Sequence, residues 1–224
     1  MPLKHSVDLL ARLVALDLDV TARDPWWWPH SGSFAMVVSA ILTQQSRYQK
    51  VEESLRNLCH HGDITPQMIA ALPPVELSRC IRPSGFYRVK AERLQRLARA
   101  ILAAFGTFDV FRDRVDRGWL LRQPGIGNET ADAVLCYGCF REAMVVDAYT
   151  QRLLAAFDLH FNGYEAIQSW LVQGIEAQPE RVKVLFGEMP RARVYALYHG
   201  LIVEYAKRHS RGREVDVSAL GVPG

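Results

Sequence analysis

The sequence has no long uninterrupted apolar run, and charges are scattered through its first twenty residues. A transmembrane helix needs about 20 consecutive apolar residues, and a secretory signal peptide needs an apolar core behind a basic start. We therefore expect a cytoplasmic protein that has no membrane partner and no signal peptide.

Cysteine is scarce, with four residues in a chain of 224: Cys59, Cys80, Cys136 and Cys139. The last two have the spacing of some redox and metal sites. However, no second pair accompanies them, and both fall inside an apolar stretch. We therefore predict buried thiols and a reducing compartment.

Neither composition nor charge is extreme. Apolar residues make up 49% of the chain and charged residues 23%, which is typical of a globular protein. The net charge is only +3, and lysine occurs at just five positions, so any binding of nucleic acid depends on a local patch built mainly of arginine. A chain of this length can form one domain or two small ones.

Apolar residues recur at spacings of three and four, whereas strict apolar–polar alternation is hard to find. This periodicity predicts an all-α fold. Pro25 and Pro29 disfavour a continuous helix through the three tryptophans between them. The tail after Ser210 is polar and has no strong period. The predicted helices cover about residues 7–16, 34–42, 48–58, 66–72, 75–81, 87–105, 149–157, 163–175, 179–187 and 190–208.

Two glycines one residue apart, Gly125 and Gly127, follow the apolar pair Leu120 and Leu121 and precede a helix-like segment that starts near Thr130. Glycine permits backbone angles that a side chain forbids, so this stretch predicts a tight turn between two helices. Backbone amides in such a turn, beside a helix N-terminus, can bind a phosphate. A plain connection between helices would show the same glycines.

Four motifs carry a resemblance to a known family. They are Phe34–Gln45, Ile81–Ala91, Pro124–Ala131 and Val145–Arg152. Their order and spacing resemble those of the helix-hairpin-helix DNA glycosylases of the endonuclease III superfamily. The resemblance implies two helical domains, with an active site in the cleft between them that takes up a base flipped from the duplex. The implied domains are a six-helix barrel over 32–141, with its hairpin at about 120–135, and a second helical domain from 1–31 plus 142–224.

Two departures narrow the resemblance. Family members that also cleave the strand carry a lysine in the hairpin, but Glu129 stands at that position and cannot form a Schiff base. Many relatives end in an iron–sulfur cluster held by four cysteines, whereas no cysteine follows Cys139, so we expect no cluster and no other cofactor. The chain thus resembles the bacterial 3-methyladenine DNA glycosylase subgroup that lacks the cluster. We expect a monomer whose partner is double-stranded DNA containing a damaged base.

Asp147 stands where the resemblance places the catalytic aspartate. Breaking an N-glycosidic bond builds positive charge on the sugar, and a carboxylate held nearby stabilises that charge. The carboxylate can also orient or deprotonate the attacking water. An aspartate directly before Ala148 and Tyr149 is equally a natural helix N-cap. Both roles are compatible, because a capped aspartate is held rigidly.

Aromatic residues and one lysine are the candidates for the pocket of the damaged base. An alkylated purine can carry a positive charge, which aromatic faces attract. Three adjacent tryptophans cannot all face one pocket, so some of them must serve packing, and Trp27 and Tyr48 are the preferred candidates. Lys207 resembles a pocket lysine of the subgroup, although a cation near a helix C-terminus is also favoured by the helix dipole. The full set is Trp26, Trp27, Trp28, Pro29, Tyr48 and Lys207.

Gln45 and Phe86 occupy positions where the family inserts side chains into the duplex to replace the extruded base. Either residue could be ordinary instead, Gln45 as a polar residue at a helix end and Phe86 as a core aromatic. A basic cluster beside Phe86 is expected to meet the DNA backbone, and it comprises Arg79, Arg82, Arg88, Lys90 and Arg93. The hairpin is expected to hold a phosphate and is a candidate for a monovalent cation on its backbone carbonyls, with no catalytic metal. Its residues are Pro124, Gly125, Ile126, Gly127, Asn128 and Thr130.

Together the resemblance and these residues predict a monofunctional DNA glycosylase of base excision repair that releases alkylated purines by hydrolysis. The first candidate substrate is 3-methyladenine. Two alternatives stay open at this point. One is a glycosylase for a neutral damaged or mismatched pyrimidine, and the other is a helix-hairpin-helix protein that binds DNA without chemistry.

Overall fold

The computed structural model describes residues 3–221 and divides the chain into two compact units. The central unit is His30–Phe140, and the terminal unit combines the residues before position 30 with those after position 140. The sequence predicts these boundaries after residues 31 and 141. Within the described range, no helix is both long enough and apolar enough to cross a membrane.

Helices form nearly all of the regular structure, so the predicted all-α fold is confirmed. A 3₁₀ turn at Arg82–Ser84 precedes α6, a π turn at Val134–Gly138 follows α9, and another 3₁₀ turn lies at Ser218–Leu220. After the last helix, the strands β1 (Ser210–Arg211) and β2 (Glu214–Val215) pair antiparallel. The α-helices are α1 (Ser6–Val14), α2 (Phe34–Thr43), α3 (Tyr48–Cys59), α4 (Pro66–Ala71), α5 (Pro74–Cys80), α6 (Tyr87–Phe105), α7 (Phe108–Arg114), α8 (Arg117–Leu121), α9 (Asn128–Ala133), α10 (Ala148–Ala156), α11 (Tyr164–Glu176), α12 (Pro179–Phe186) and α13 (Arg191–His209).

Several helices begin where the sequence supplies a capping side chain. The Ser33 hydroxyl accepts a hydrogen bond from the Met36 amide at the start of α2. The Thr65 hydroxyl accepts one from the Met68 amide at 3.1 Å, and Pro66 is the first residue of α4. Such caps satisfy amides that have no partner within the helix, which is why the start of α4 could be predicted from Thr65 and Pro66.

Each unit has a core arranged around one buried helix. In the central unit, α2 is buried on almost every side and packs against α3, α6 and the π turn. In the terminal unit, α13 is the buried helix, and its residues Tyr198 and Tyr205 are completely enclosed. The Tyr198 hydroxyl donates to the Ser6 carbonyl at 2.7 Å and so ties α1 to α13. These two helices are the frames that position the residues of interest.

Three elements differ from the sequence prediction: α7, the π turn and the β1–β2 hairpin. Phe111 is the buried residue of α7, and one buried position sets no period. The π turn buries Cys136, and Cys139 directly after it is also buried, so the predicted buried thiols are confirmed. The two-residue strands are too short to alternate, and the Tyr205 hydroxyl secures them by donating to the Asp216 carbonyl at 2.7 Å.

Candidate functional site

Asp147 is the residue before α10 and caps that helix. Its Oδ1 accepts hydrogen bonds from the Thr150 amide at 2.8 Å and from the Thr150 hydroxyl at 2.9 Å. The side chain is 15% exposed. The predicted N-cap is therefore present, and it fixes one carboxylate oxygen while leaving Oδ2 for other contacts.

The second oxygen of Asp147 faces His199, a residue that the sequence analysis did not select. His199 lies on α13, is 2% exposed, and places its Nε2 3.6 Å from Asp147 Oδ2. Burial by itself raises the pKa of Asp147, but the polar contact and charge of His199 and the two bonds from Thr150 outweigh burial and lower this pKa below 3.8. Asp147 is therefore a carboxylate at neutral pH. In the sequence, the only signal for His199 is that it lies on the same helix face as Lys207.

Trp27 lies against the same helix. Its backbone has a φ of 73°, in the left-handed region that favours glycine. A Cβ added to Gly200 of α13 would come within 2.5 Å of Trp27 Cγ, so only glycine leaves room for the indole there. The Trp27 ring meets the His199 ring edge-on, with centroids 5.2 Å apart and an interplanar angle of 88°. His199 therefore links Trp27 to Asp147.

Glu204 and Lys207 complete this cluster in the terminal unit. The Trp27 indole N–H donates to Glu204 Oε1 at 3.3 Å, and Lys207 Nζ donates to the same oxygen at 3.2 Å. Lys207 Nζ is also 5.6 Å from the centre of the Trp27 ring, which is within cation–π range. The structure thus brings together three residues selected from the sequence, Asp147, Trp27 and Lys207. Glu204 was missed, although its opposite charge three residues before Lys207 is a recognisable helix pair.

The remaining pocket candidates do not all lie at this cluster: Trp28 contacts Trp27, Trp26 and Pro29 belong to the same segment, and Tyr48 is in the central unit. The Trp28 ring meets Trp27 edge-on at a centroid distance of 5.9 Å. The Trp26 amide is bonded to an upstream aspartate, and Pro29 is the last residue of the first segment of the terminal unit. Tyr48 opens α3 and belongs to the central unit. Its role in the pocket stays a prediction.

In the central unit, the predicted glycine turn runs from the end of α8 at Leu121 to the start of α9 at Asn128. Gly125 has a φ of +83°, and a Cβ there would come within 2.5 Å of Arg93 Cδ. Gly127 differs, since its φ is −98° and an added Cβ would have nothing within 4 Å. The backbone and the Arg93 side chain therefore require glycine at position 125, whereas position 127 has space for a side chain.

Gln44 attaches this turn to the end of α2. Its Nε2 donates to the Gly125 carbonyl at 2.9 Å and to the Thr130 hydroxyl at 3.0 Å. Arg93 Nη1 donates to Gln44 Oε1 at 3.5 Å. The side chains of Ile126 and Thr130 are buried and hold the turn, so that its outer surface is formed by Pro124, Gly125, Gly127 and the half-buried Asn128. Neither Gln44 nor Arg93 was assigned this role from the sequence.

Gln45 and Phe86 are exposed residues with unusual backbone angles. Gln45 is the third residue of a β-turn that the Ser46 amide closes on the Thr43 carbonyl at 3.0 Å, and its φ is 53°. Phe86 caps α6 with a φ of 47° and is 66% exposed, so the alternative of a core aromatic is wrong. Left-handed backbone at a non-glycine residue costs about 1–3 kcal/mol and is concentrated at functional sites.

A groove of about 440 Å³ is lined in part by Tyr87 and Arg88, the two residues that follow Phe86 in the chain. Arg79 is paired with Glu76 at 2.7 Å, and the Arg88 guanidinium lies 5.9 Å from the centre of the Tyr87 ring. The groove is therefore basic with an aromatic wall, which suits a phosphate backbone. It is lined by Pro74, Val75, Ser78, Arg79, Arg82, Tyr87 and Arg88.

The prediction that Lys90 contacts DNA is wrong. Lys90 is 2% exposed, and its Nζ donates to the carbonyls of Leu42 and Ser84, both at 2.8 Å. Burial and the neighbouring Arg93 guanidinium lower the pKa of Lys90 to about 8, so it is an ammonium at neutral pH. The sequence could not separate Lys90 from the surface arginines, because it lies between them and its burial depends on tertiary packing.

The chain is similar to known proteins over most of its length. Residues 38–172 match the HhH-GPD superfamily of base excision DNA repair proteins. A protein of Methanocaldococcus jannaschii named as a DNA repair glycosylase is 33% identical over 215 residues, which are 93% of this chain and 91% of that protein. Endonuclease III of Thermotoga maritima is 30% identical over 135 residues, or 60% of this chain and 61% of that protein.

Two solved structures superpose on most of this chain. A 3-methyladenine DNA glycosylase of H. pylori bound to 1,N6-ethenoadenine superposes with a TM-score of 0.88 at 36% identity, over 92% of this chain and 99% of that one. A trapped covalent complex of endonuclease III with DNA superposes with a TM-score of 0.73 at 20% identity, over 93% of this chain and 88% of that one. The second likeness is one of fold alone.

Proposed function

Because the chain belongs to the HhH-GPD superfamily of base excision DNA repair proteins and is a DNA glycosylase, we propose that it releases alkylated purines by hydrolysis and leaves the strand intact. The proposed first substrate is 3-methyladenine. The observation that carries this proposal is the carboxylate of Asp147, which is fixed by its own helix cap and linked through His199 to the Trp27 ring.

Asp147 supplies the charge that the reaction needs. As the bond from the sugar to the base breaks, positive charge develops on the sugar ring, and a preorganised carboxylate stabilises it without having to reorient. Thr150 occupies Oδ1, while Oδ2 is directed to His199. The same carboxylate can orient the incoming water and accept its proton. Alkylation already weakens the bond, so the chain needs no cofactor and no metal for this step.

Trp27 supports an alkylated rather than a neutral base. An aromatic face attracts a cationic purine. The ammonium of Lys207, close to the same ring, would by itself repel such a base, but the Glu204 carboxylate binds both Lys207 and the Trp27 indole and offsets that charge. The H. pylori relative, named for 3-methyladenine and bound to a modified adenine, points to the same substrate class.

Glu129 supports hydrolysis without strand cleavage. The lyase route of the family requires a hairpin lysine whose amine attacks the sugar, and a carboxylate cannot replace it. Glu129 is the second residue of α9 and is exposed. With no Schiff base, the intact abasic strand is the proposed product. We further propose that the chain acts as a monomer and contains no iron–sulfur cluster.

The proposed binding surface for double-stranded DNA lies on the central unit. The exposed amides around Gly125 and Gly127 suit a phosphate, and the groove with Arg82 and Arg88 suits the neighbouring backbone. The Gly125 carbonyl accepts one hydrogen bond and retains a second lone pair, so the turn is compatible with a monovalent cation. Gln45 and Phe86 are proposed to enter the duplex where the base has left.

Incubation with DNA methylated by an alkylating agent tests the substrate class. We expect 3-methyladenine to be released as the free base, because it combines a positive charge with a weakened bond. The released base is identified by chromatography, and the strand is examined before and after alkali. Breaks should appear only after alkali, since the abasic product is uncut.

Duplexes with thymine glycol or a mismatched thymine are the matched controls. Faster release of either pyrimidine would overturn the alkylpurine assignment in favour of a neutral base. Strand breaks without alkali, or a borohydride-trapped covalent complex, would overturn the monofunctional assignment. A chain that binds DNA but releases none of these bases would contradict the proposed activity altogether.

Gly127→Ala tests the phosphate grip. Its backbone angles suit alanine and an added Cβ is unobstructed, so stability should change by no more than about 0.5 kcal/mol. A methyl group above the amides should nevertheless weaken binding about tenfold, equally for damaged and undamaged duplexes, because phosphate contacts carry no sequence information. Fluorescence anisotropy measures the binding, and thermal unfolding measures the stability.

Gly125→Ala is the comparison variant. Its φ of +83° and the Arg93 side chain oppose a Cβ, so this variant should lose stability as well as binding. Unchanged affinity of a folded Gly127→Ala variant would place the phosphate elsewhere.

A further inference from the structure

Two loops of the central unit end in exposed residues whose backbone is left-handed. Gln45 lies in the turn that leaves α2, and Phe86 lies in the turn that enters α6. Left-handed backbone at such residues persists only where surrounding contacts enforce it. The contacts that enforce it are therefore part of how both side chains are presented.

One buried ammonium holds both loops. Lys90 Nζ donates to the carbonyl of Leu42, three residues before Gln45, and to the carbonyl of Ser84, two residues before Phe86, each at 2.8 Å. Leu42 is in the last turn of α2, where helix carbonyls have no partner within the helix. Ser84 closes the 3₁₀ turn and precedes Gly85, whose φ is +69°. A single side chain thus ends one helix and fixes the entry to another.

We propose that Lys90 is a positioning residue that sets Gln45 and Phe86 at a fixed separation, so that the two side chains enter the duplex together. This inference rests on the proposed insertion of Gln45 and Phe86. Lys90 itself does not touch DNA, because it is buried. It acts by fixing the starting point of each loop, and bonds from a charged donor to carbonyls are short and strong enough to do so.

The chain offers a matched control five residues along the same helix. Gln95 is also buried, and its Nε2 donates to the carbonyls of Ile69 and Leu72, at 3.4 Å and 2.6 Å, at the end of α4. Gln95→Met and Lys90→Met each remove one buried donor group that binds two carbonyls. Only Lys90→Met releases the loops of Gln45 and Phe86. Comparison of the two variants separates positioning from ordinary stabilisation.

The experiment measures how well each variant distinguishes a duplex with a stable abasic-site analogue from the same duplex without it. Inserted side chains fill the gap of the analogue, so the wild type should bind it more tightly, and a 2-aminopurine next to the gap should report the insertion by its fluorescence. We expect Lys90→Met to lose about tenfold of this preference, while its affinity for the undamaged duplex stays near that of the wild type. Gln95→Met should retain both the preference and the fluorescence change.

Adding the substitution to a doubly substituted background tests whether Lys90 acts through Gln45 and Phe86. Adding Lys90→Met to a chain that already carries Gln45→Ala and Phe86→Ala should cause no further loss of preference, because the residues through which Lys90 acts are gone. If Lys90→Met does not fold, Lys90→Gln, which keeps shorter N–H donors, takes its place and should show an intermediate loss.

Three results would overturn the proposal. They are equal losses in Lys90→Met and Gln95→Met, a full further loss in the doubly substituted background, and a wild type without any preference for the abasic analogue. The assay contains no base to be released, so it stands apart from the substrate assignment. A wild type that prefers the analogue but releases no 3-methyladenine refutes the substrate class and leaves the role of Lys90 testable.

Discussion

Asp147→Asn is expected to abolish most base release and to leave DNA binding intact. Asparagine is also a good N-cap, so α10 and the fold should be retained. The negative charge beside the sugar is lost, and loss of a preorganised electrostatic group of this kind costs about 10²–10³-fold in rate. The single-turnover rate on methylated duplex measures the chemistry, and anisotropy with the same duplex measures the binding.

Asp116→Asn is the matched control for this substitution. Asp116 caps α8 by accepting the Trp119 amide at 2.7 Å, in the same way that Asp147 caps α10. The two variants make the same chemical change at the same kind of position, and only one removes a charge from the proposed site. Equal rates in both variants would reduce Asp147 to a structural cap.

The lowered pKa of Asp147 also predicts how base release depends on pH. A carboxyl group whose pKa is lower in the folded state stabilises the fold above its unfolded value of 3.8, and this contribution is lost as the pH falls through the folded value. With its pKa below 3.8, Asp147 stays more than half ionised down to pH 3.8, so its protonation should not halve base release above that pH. Thr150→Val removes one hydroxyl donor, raises the pKa of Asp147, and should move the acid limit of activity upward.

Trp27→Ala should have the second largest effect. Stacking of one base on an aromatic ring contributes about 1–3 kcal/mol, which corresponds to roughly 5–150-fold in the release of an alkylated purine. The loss should be smaller in Trp27→Phe, which keeps an aromatic face but loses the bond to Glu204. Rates on methylated duplex measure the effect.

Trp26→Ala serves as the neighbouring control and should remain close to the wild type. Gly200→Val should displace Trp27 without replacing it, because a Cβ on Gly200 would lie 2.5 Å from the ring. Its expected phenotype resembles that of Trp27→Ala even though the tryptophan is still present. Equal activity of Trp26→Ala and Trp27→Ala would show that another surface holds the base.

Helix periods and caps explain why much of the fold was predictable. The bounds of α6, residues 87 to 105, follow from apolar spacing and a terminal glycine, and the cap at Thr65 follows from its hydroxyl and the next proline. The glycine turn was predicted from its two glycines, and Asp147 was selected because the segment Val145–Arg152 resembles the corresponding segment of the family.

Contacts between distant segments explain what the sequence did not show. His199 and Glu204 gain their roles only when α13 meets the segment of Trp27, which lies some 170 residues earlier. Lys90 looks like its arginine neighbours until packing buries it. The left-handed backbone of Trp27 and Phe86 has no local signal, since neither residue type favours it.

The hydrogen bonds from Gln44 to the glycine turn fix the distance between that turn and the neighbouring residue Gln45. Gln44 is fastened to Gly125 and Thr130, and the next residue, Gln45, is the one proposed to enter the base stack. The phosphate proposed to bind the turn and the base step proposed for Gln45 should therefore lie at a constant offset from each other along the DNA. A lesion closer to a strand end than this offset lacks the phosphate proposed to bind the turn, so we expect its base to be released more slowly.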